Sequence, residues 1–209
     1  MNILVFGASG KTGHELVRQG LLQGHYVTAF VRDPAKLTVK NDRLKVIRGD
    51  VKDLVAVSSA MKDQDAVLSA LGVSKPLKSD PVVIEGIRNI IAVMEQTNVK
   101  RFIYLSFMAV GEGRKDGGFL MKNIIARIVR HEIADHAEKE KLIKATQLDW
   151  TIVHAPKLTN GSKKGIYRTG EAIKPRTFLP TLSRADLADF MLKQLTERTF
   201  LFKPVRVMY

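Results

Sequence analysis

Gly7-Ala8-Ser9-Gly10-Lys11-Thr12-Gly13 stands where an apolar run, Ile3-Leu4-Val5-Phe6, gives way to an amphipathic stretch from about Thr12 to Gln23. A chain that turns sharply out of a strand needs a residue without a Cβ, and a backbone that must approach a pyrophosphate needs another. A third glycine lets the next helix lie close to the sheet, and that helix's first N–H groups and positive end then hold phosphates. The spacing Gly-x-x-Gly-x-x-Gly at this junction predicts a dinucleotide site. Gly7, Ser9, Gly10, Lys11, Thr12 and Gly13 would bind the phosphates, with Gly10 the point where the backbone passes against them. Gly10-Lys11-Thr12 also matches the end of a nucleoside-triphosphatase phosphate loop. That loop requires a glycine five residues earlier, and Val5 stands there.

The end of the second strand separates the two nicotinamide cofactors. An acid there accepts from the ribose 2′-OH, whereas an arginine accommodates a 2′-phosphate. The chain reads Val31-Arg32-Asp33-Pro34 with Lys36 close behind. Two cations flanking one acid, Arg32 and Lys36 around Asp33, predict NADP(H) in preference to NAD(H).

Other reactive side chains form looser groups. His131, Glu132, Asp135, His136 and Glu138 include pairs four apart, such as His131 and Asp135, that share a helical face. They lack the order His-Glu-x-x-His, so a solvated helix face is expected and no metal site. Ser106 has no histidine or acid at a spacing that marks a hydrolase triad. Lys157, Lys163, Lys164, Arg168, Lys174 and Arg176 are opposed locally only by Glu171, and with Arg114, Lys115 and Lys122 they would rim a cleft. That rim suits a phosphorylated or otherwise anionic small acceptor. No nucleic-acid motif accompanies it and few aromatics interleave it, so nucleic acid is not the expected partner.

The elements that must position these groups alternate. Strands are expected at Tyr26–Val31, Leu44–Ile47, Ala66–Leu71, Arg101–Ser106 and Trp150–His154. Asp80-Pro81 reads as a helix start, and helical sequence precedes Thr146. Residues 156–182 read as irregular, with a short strand near Tyr167. Ser183 followed by Asp186 opens a last helix in capping-box manner, and Phe200 to Met208 closes the chain as an edge strand interrupted by Pro204. The fold class expected is α/β: one doubly wound parallel sheet with helices on both faces, residues 1–209 forming one domain. A substrate cleft would lie between the segments near 107–120 and 156–182.

The 209 residues are 45 % hydrophobic and 26 % charged, an ordinary globular balance. The absence of cysteine excludes disulfide scaffolds and thiolate chemistry and suits a reducing compartment. No apolar run approaches the ~18 residues of a membrane span, and Asn2–Phe6 lacks a charged lead, so the cytoplasm is the expected location. The net charge of +13 is concentrated in the second half, where 20 basic face 11 acidic residues, against 14 and 10 in residues 1–100. Such a field attracts anions.

Further short motifs come in one order: Gly49-Asp50-Val51, Leu71-Gly72, Glu85-Gly86-x-x-Asn89-Ile90 and Leu148-Asp149-Trp150-Thr151-Ile152-Val153. With the glycine loop and Val-Arg-Asp-Pro, the whole chain resembles the atypical short-chain dehydrogenases, particularly the small biliverdin-IXβ reductase/flavin reductase type and its NmrA-like relatives. The resemblance implies an NADPH-dependent, monomeric reductase of small conjugated acceptors, flavins or linear tetrapyrroles. It implies that Asp50 and Val51 flank the adenine and that Leu71 and Gly72 lie beside the nicotinamide-side ribose. Ser106, Phe107, Pro156, Lys157 and Leu158 would border the nicotinamide, with Ser106 and Lys157 as catalytic candidates. Two departures stand out. Tyr-x-x-x-Lys is missing, with Glu132 and His136 at its two positions, and Lys157 replaces the histidine of the biliverdin/flavin reductase type. The missing tyrosine keeps a second reading open, a non-catalytic sensor of NADP(H).

Overall fold

Hydrophobic alternation builds the centre of the molecule. In the first strand Ile3 and Val5 enter one buried cluster while Leu4 and Phe6 enter another, so both faces of the sheet are covered. The computed structural model describes residues 1–72, 81–110 and 130–209. Its strands are β1 (Asn2–Phe6), β2 (Tyr26–Val31), β3 (Leu44–Arg48), β4 (Ala66–Ser69), β5 (Arg101–Phe107), β6 (Asp149–Ala155), β7 (Lys157–Thr159), β8 (Arg168–Gly170), β9 (Thr181–Ser183) and β10 (Lys203–Met208). Helices α1 (Lys11–Leu22), α2 (Leu54–Met61), α3 (Pro81–Thr97), α4 (Arg130–Lys144) and α5 (Arg184–Lys193) intervene. Asp80, Arg114, Lys115 and Lys122, with residues 111–120 of the expected cleft segment, and the expectations attached to them, lie outside the described residues.

The main sheet has eight strands in the order β3-β2-β1-β4-β5-β6-β10-β8, all parallel except β8, which runs against β10. This is a Rossmann-like α/β fold. Residues of α1 and α5 pack on the cluster holding Val5, Leu16 and Phe190, and residues of α2, α3 and α4 on the one holding Phe6, Ile87 and Tyr104. The chain leaves β1 toward β2 and β3 and then returns to place β4 on β1's other side. That reversal opens a crevice at the carboxyl ends of β1 and β4, where ligands bind in such sheets.

Two expectations about the last third need correction. The terminal strand is not an edge. Its Lys203 to Arg206 pair with β6, and β8 covers only Arg206 to Met208, so Pro204 lies where no second neighbour requires its missing N–H. The segment 156–182 is also more ordered than its composition suggests. β7 and β9 form a parallel pair, Lys157 to Thr159 against Thr181 to Ser183.

Asp186 holds this segment to α5. Ser183 caps the helix, its hydroxyl accepting from Asp186 N at 3.0 Å. The buried Asp186 carboxylate accepts from the backbone of Lys164 and Gly165, at 2.9 and 2.7 Å, from Ser183 Oγ and from Tyr209 Oη. Burial pushes this carboxyl up, but the bonds from Tyr209, Gly165, Ser183 and Lys164 together outweigh it and hold it below the ordinary range. A depressed folded-state pKa stabilises the fold above the unfolded value and loses that contribution as pH falls through the folded one. Asp186→Ala is therefore expected to cost about 3 kcal/mol in urea denaturation at neutral pH, since it leaves two amides and a phenol unpartnered. The intact protein should lose stability below about pH 4, and the variant should lose less over that interval.

Candidate functional site

The glycine loop closes by backbone contact. Gly7 has φ +75°, and a Cβ there would stand 2.6 Å from Ala70 O at the end of β4. A Cβ at Gly13 would stand 2.1 Å from Gly7 O, so α1 lies directly on the turn. Gly10 differs. It caps α1 at φ −76°, its N–H donates to Gly7 O at 3.0 Å, and a Cβ there would meet only Gly7 O, at 3.2 Å, in otherwise open space. What Gly10 offers a phosphate is thus room. The amides at the start of α1, those of Lys11, Thr12 and Gly13, have no acceptor one turn back and supply the positive end.

This loop forms one wall of a cavity of about 300 Å³, lined among others by Gly7, Ser9, Gly10, Arg32, Asp50, Val51, Leu71, Gly72 and Val83. Asp33 does not compete with Arg32 for it. Its carboxylate accepts from Ala35 N at 3.2 Å, capping a short 3-10 turn, and faces Lys36 at 3.7 Å. Lys36 and Lys11 are exposed and do not line the cavity. α3 supports the far wall: Asn89 Nδ2 donates to Val51 O at 2.9 Å, and a Cβ on Gly86 would overlap Val51 Cγ2 at 2.4 Å. The Gly86-x-x-Asn89 motif thus seats the Val51 loop. The glycine cradle and the helix start together fit a dinucleotide.

A second cavity, of about 400 Å³, adjoins the first, and Ala70, Leu71 and Gly72 line both. It brings together Thr12, Ser106, Phe107, Pro156, Lys157 and Leu158. Three further residues, Glu132, His136 and Arg184, also line it. Every expected site residue except Lys11, Gly13 and Lys36 lines one cavity or the other.

The helix carrying His131 to Glu138 is not a solvated face. Asp135, His136, Lys139 and Glu140 are buried, because α4 lies against the polar ends of β5 and β6. Ser106 Oγ donates to Glu140 Oε1 at 2.6 Å, His154 Nε2 lies 2.7 Å from the same oxygen, and Lys144 Nζ donates to Oε2 at 2.9 Å. His136 Nδ1 lies 3.1 Å from Tyr104 Oη and 3.4 Å from Ser106 Oγ. The acid and the histidines near Ser106 come from folding, not from local spacing.

Burial raises the Glu140 carboxyl, yet the contacts with His154, Ser106 and Lys144 prevail and bring it to about 2. Burial, helped by Lys139, depresses His136 to about 3, so its imidazole is neutral at pH 7. Burial also pushes the Tyr104 phenol well up, with Glu140 and Asp135 adding to the effect. Glu132, half-buried on the cavity wall, is raised by burial; Lys139 opposes this and Asp135 adds to it.

The basic cluster is likewise redistributed. Lys163 and Lys193 pair with the buried Asp189 at 2.6 and 2.8 Å, and Arg168 donates to the carbonyls of Lys174 and Tyr209. Of the six cations in the 157–176 stretch, Lys157 alone lines the second cavity; Arg184, anchored on Asn160 Oδ1 at 2.7 Å, joins it there. These geometries separate the glycines by role. Gly13→Ala is expected to lower stability by at least about 2 kcal/mol, since Gly7 O cannot yield 1 Å without moving β1. Gly10→Val should leave thermal unfolding nearly unchanged and weaken dinucleotide binding at least about tenfold in calorimetry.

Known proteins resemble this chain at several levels. The photosystem II assembly factor Ycf39 of Synechocystis is 25 % identical over 209 residues, covering 92 % of this chain, which spans 58 % of that protein's length. A short-chain dehydrogenase/reductase of Veillonella parvula, solved in complex with NADP, superposes with a TM-score of 0.83 at 17 % identity, over 99 % of this chain and 93 % of the other. ChuY, an anaerobilin reductase of Escherichia coli O157:H7, does so with a TM-score of 0.79 at 20 % identity, over 99 % and 96 %. The family model described as NAD(P)H-binding matches residues 7–198, and the chain belongs to that family.

Proposed function

We propose that this protein is an NADPH-dependent reductase of small, conjugated, anionic acceptors, of the flavin or linear tetrapyrrole class. The observation that carries this reading is the shared wall of Ala70, Leu71 and Gly72 between the cradle cavity and the Ser106 cavity. A dinucleotide whose diphosphate rests on the Gly7–Gly13 loop has its second ring directed past that wall. A bound reduced nicotinamide supplies hydride. The protein supplies position and exclusion of water, which account for much of the rate of such transfers. The NADP complex of the Veillonella parvula neighbour and the likeness to the anaerobilin reductase ChuY support the cofactor and acceptor classes.

In this reading Ser9, Gly10 and the amides of Lys11, Thr12 and Gly13 hold the pyrophosphate, and Asp50 and Val51 flank the adenine. Arg32 meets the 2′-phosphate. Lys36, turned to Asp33, contributes less. Phe107, Pro156 and Leu158 border the nicotinamide. Lys157 and Arg184 draw the anionic end of the acceptor into the second cavity, and Ser106 fixes the floor beneath it.

Arg32→Ala should weaken NADPH about 10- to 100-fold, the range of one charge-assisted pair, and leave NADH nearly unchanged. Equal NADPH and NADH affinities in the intact protein would contradict the cofactor assignment. Lys157→Met should lower turnover of an anionic acceptor about tenfold with NADPH affinity unchanged. NADPH oxidation across flavins, quinones and tetrapyrroles tests the whole reading: turnover is expected with at least one conjugated anion. Tight NADPH binding without turnover would point instead to a sensor.

A further inference from the structure

We propose that Glu132 is the proton donor of the second cavity, taking the part that a tyrosine plays in ordinary short-chain dehydrogenases. This rests on the reductase reading. Glu132, His136 and Glu140 stand at successive four-residue steps on α4 and so share a face, which is turned to the carboxyl ends of β5 and β6. The three have different surroundings. Glu140 is buried below the cavity, and its oxygens are taken by Ser106, His154 and Lys144. His136, at the cavity floor, is held by Tyr104 and Ser106 through Nδ1. Glu132, nearest the start of the helix, lines the cavity itself.

The other polar groups of the cavity are less suited to the task. Ser106 donates its proton to Glu140, whose own carboxyl is held ionised by its contacts. His136 is a neutral imidazole, a weak acid, and its Nδ1 is engaged by Tyr104 and Ser106. Lys157 and Arg184 are cations suited to binding an anion. Glu132 remains, and its surroundings favour the neutral acid.

The charged and titratable groups around it come from several elements. α4 itself brings Asp135, His136 and Lys139, while β5 brings Ser106 and Tyr104, and β6 brings His154, which faces Glu140. β7 brings Lys157 and α5 brings Arg184. α3 contributes Arg88, which is occupied by Glu138 at 3.0 Å.

The step balances as one hydride and one proton. Hydride from reduced nicotinamide forms a C–H or N–H bond on the acceptor, and the displaced electron pair moves to a conjugated oxygen or nitrogen. That atom takes the Glu132 carboxyl proton. Dihydro-acceptor, oxidised cofactor and a Glu132 carboxylate result, and the half-exposed carboxylate is reprotonated from water.

Glu132→Gln tests this with two readouts. In infrared titration of the protein without cofactor, the intact chain should show a protonated-carboxyl band that persists above the ordinary glutamate range and is missing in Glu132→Gln. In turnover, kcat of the intact protein should be level at low pH and fall tenfold per unit above the pKa of that band. The variant should lose this limb and about 100-fold in kcat, with NADPH affinity unchanged. Intact activity that Glu132→Gln leaves unaltered, or no such band, overturns the assignment of Glu132 alone. No NADPH oxidation by the intact protein with any acceptor overturns the reductase reading, and this proposal with it.

Discussion

Bare backbone at Gly7 lies against the carbonyl of Ala70, and bare backbone at Gly13 lies against Gly7. Because neither contact leaves room for a side chain, the end of β1, the end of β4 and the start of α1 meet at one point. Everything proposed for this molecule follows from that meeting. It opens the cradle on one side, and on the other it makes Ala70, Leu71 and Gly72 a wall common to two cavities. A loop built only to turn the chain would need Gly7 but not the closeness of Gly13, nor the empty space beside Gly10.

A second constraint governs the acceptor side. The ends of β5 and β6 carry Tyr104, Ser106 and His154, polar groups that would be costly to bury alone. α4 answers them with His136 and Glu140, so hydroxyls, imidazoles and a carboxylate satisfy one another and fix the floor of the second cavity. The floor is therefore rigid and largely committed. Reactive freedom is left to the cavity walls, which Glu132, Lys157 and Arg184 line. An acceptor negative at one end and gaining charge at the other fits that polarity.

The first half of the fold and the glycine loop at its centre were legible in the chain because local signals sufficed. Continuous apolar runs marked the strands, and a glycine triplet at a strand–helix junction has few other uses. Asp33 was legible only as a charge; its turn-capping role depends on the Pro34 bend that follows it. The acceptor side was harder for a definite reason. Charged residues on α4 read as solvent-facing, yet the stripe Glu132, His136, Glu140, Lys144 repeats every four residues, and that period was the available signal. What it could not give was the identity of the opposing strand ends. Likewise the partner of Lys163, Asp189, is 26 residues away, and Pro204 suggested an edge because the shortness of β8 is a tertiary fact.

The central claim is that one dinucleotide spans both cavities. Intermolecular nuclear Overhauser effects between bound NADPH and methyl-labelled protein measure this without any acceptor. The proposal predicts adenine contacts to the methyls of Val51 and Val83, contacts of the nicotinamide-side ribose to those of Leu71, and nicotinamide contacts to those of Leu158. Adenine contacts with no nicotinamide contact to Leu158, at saturating NADPH, would contradict it.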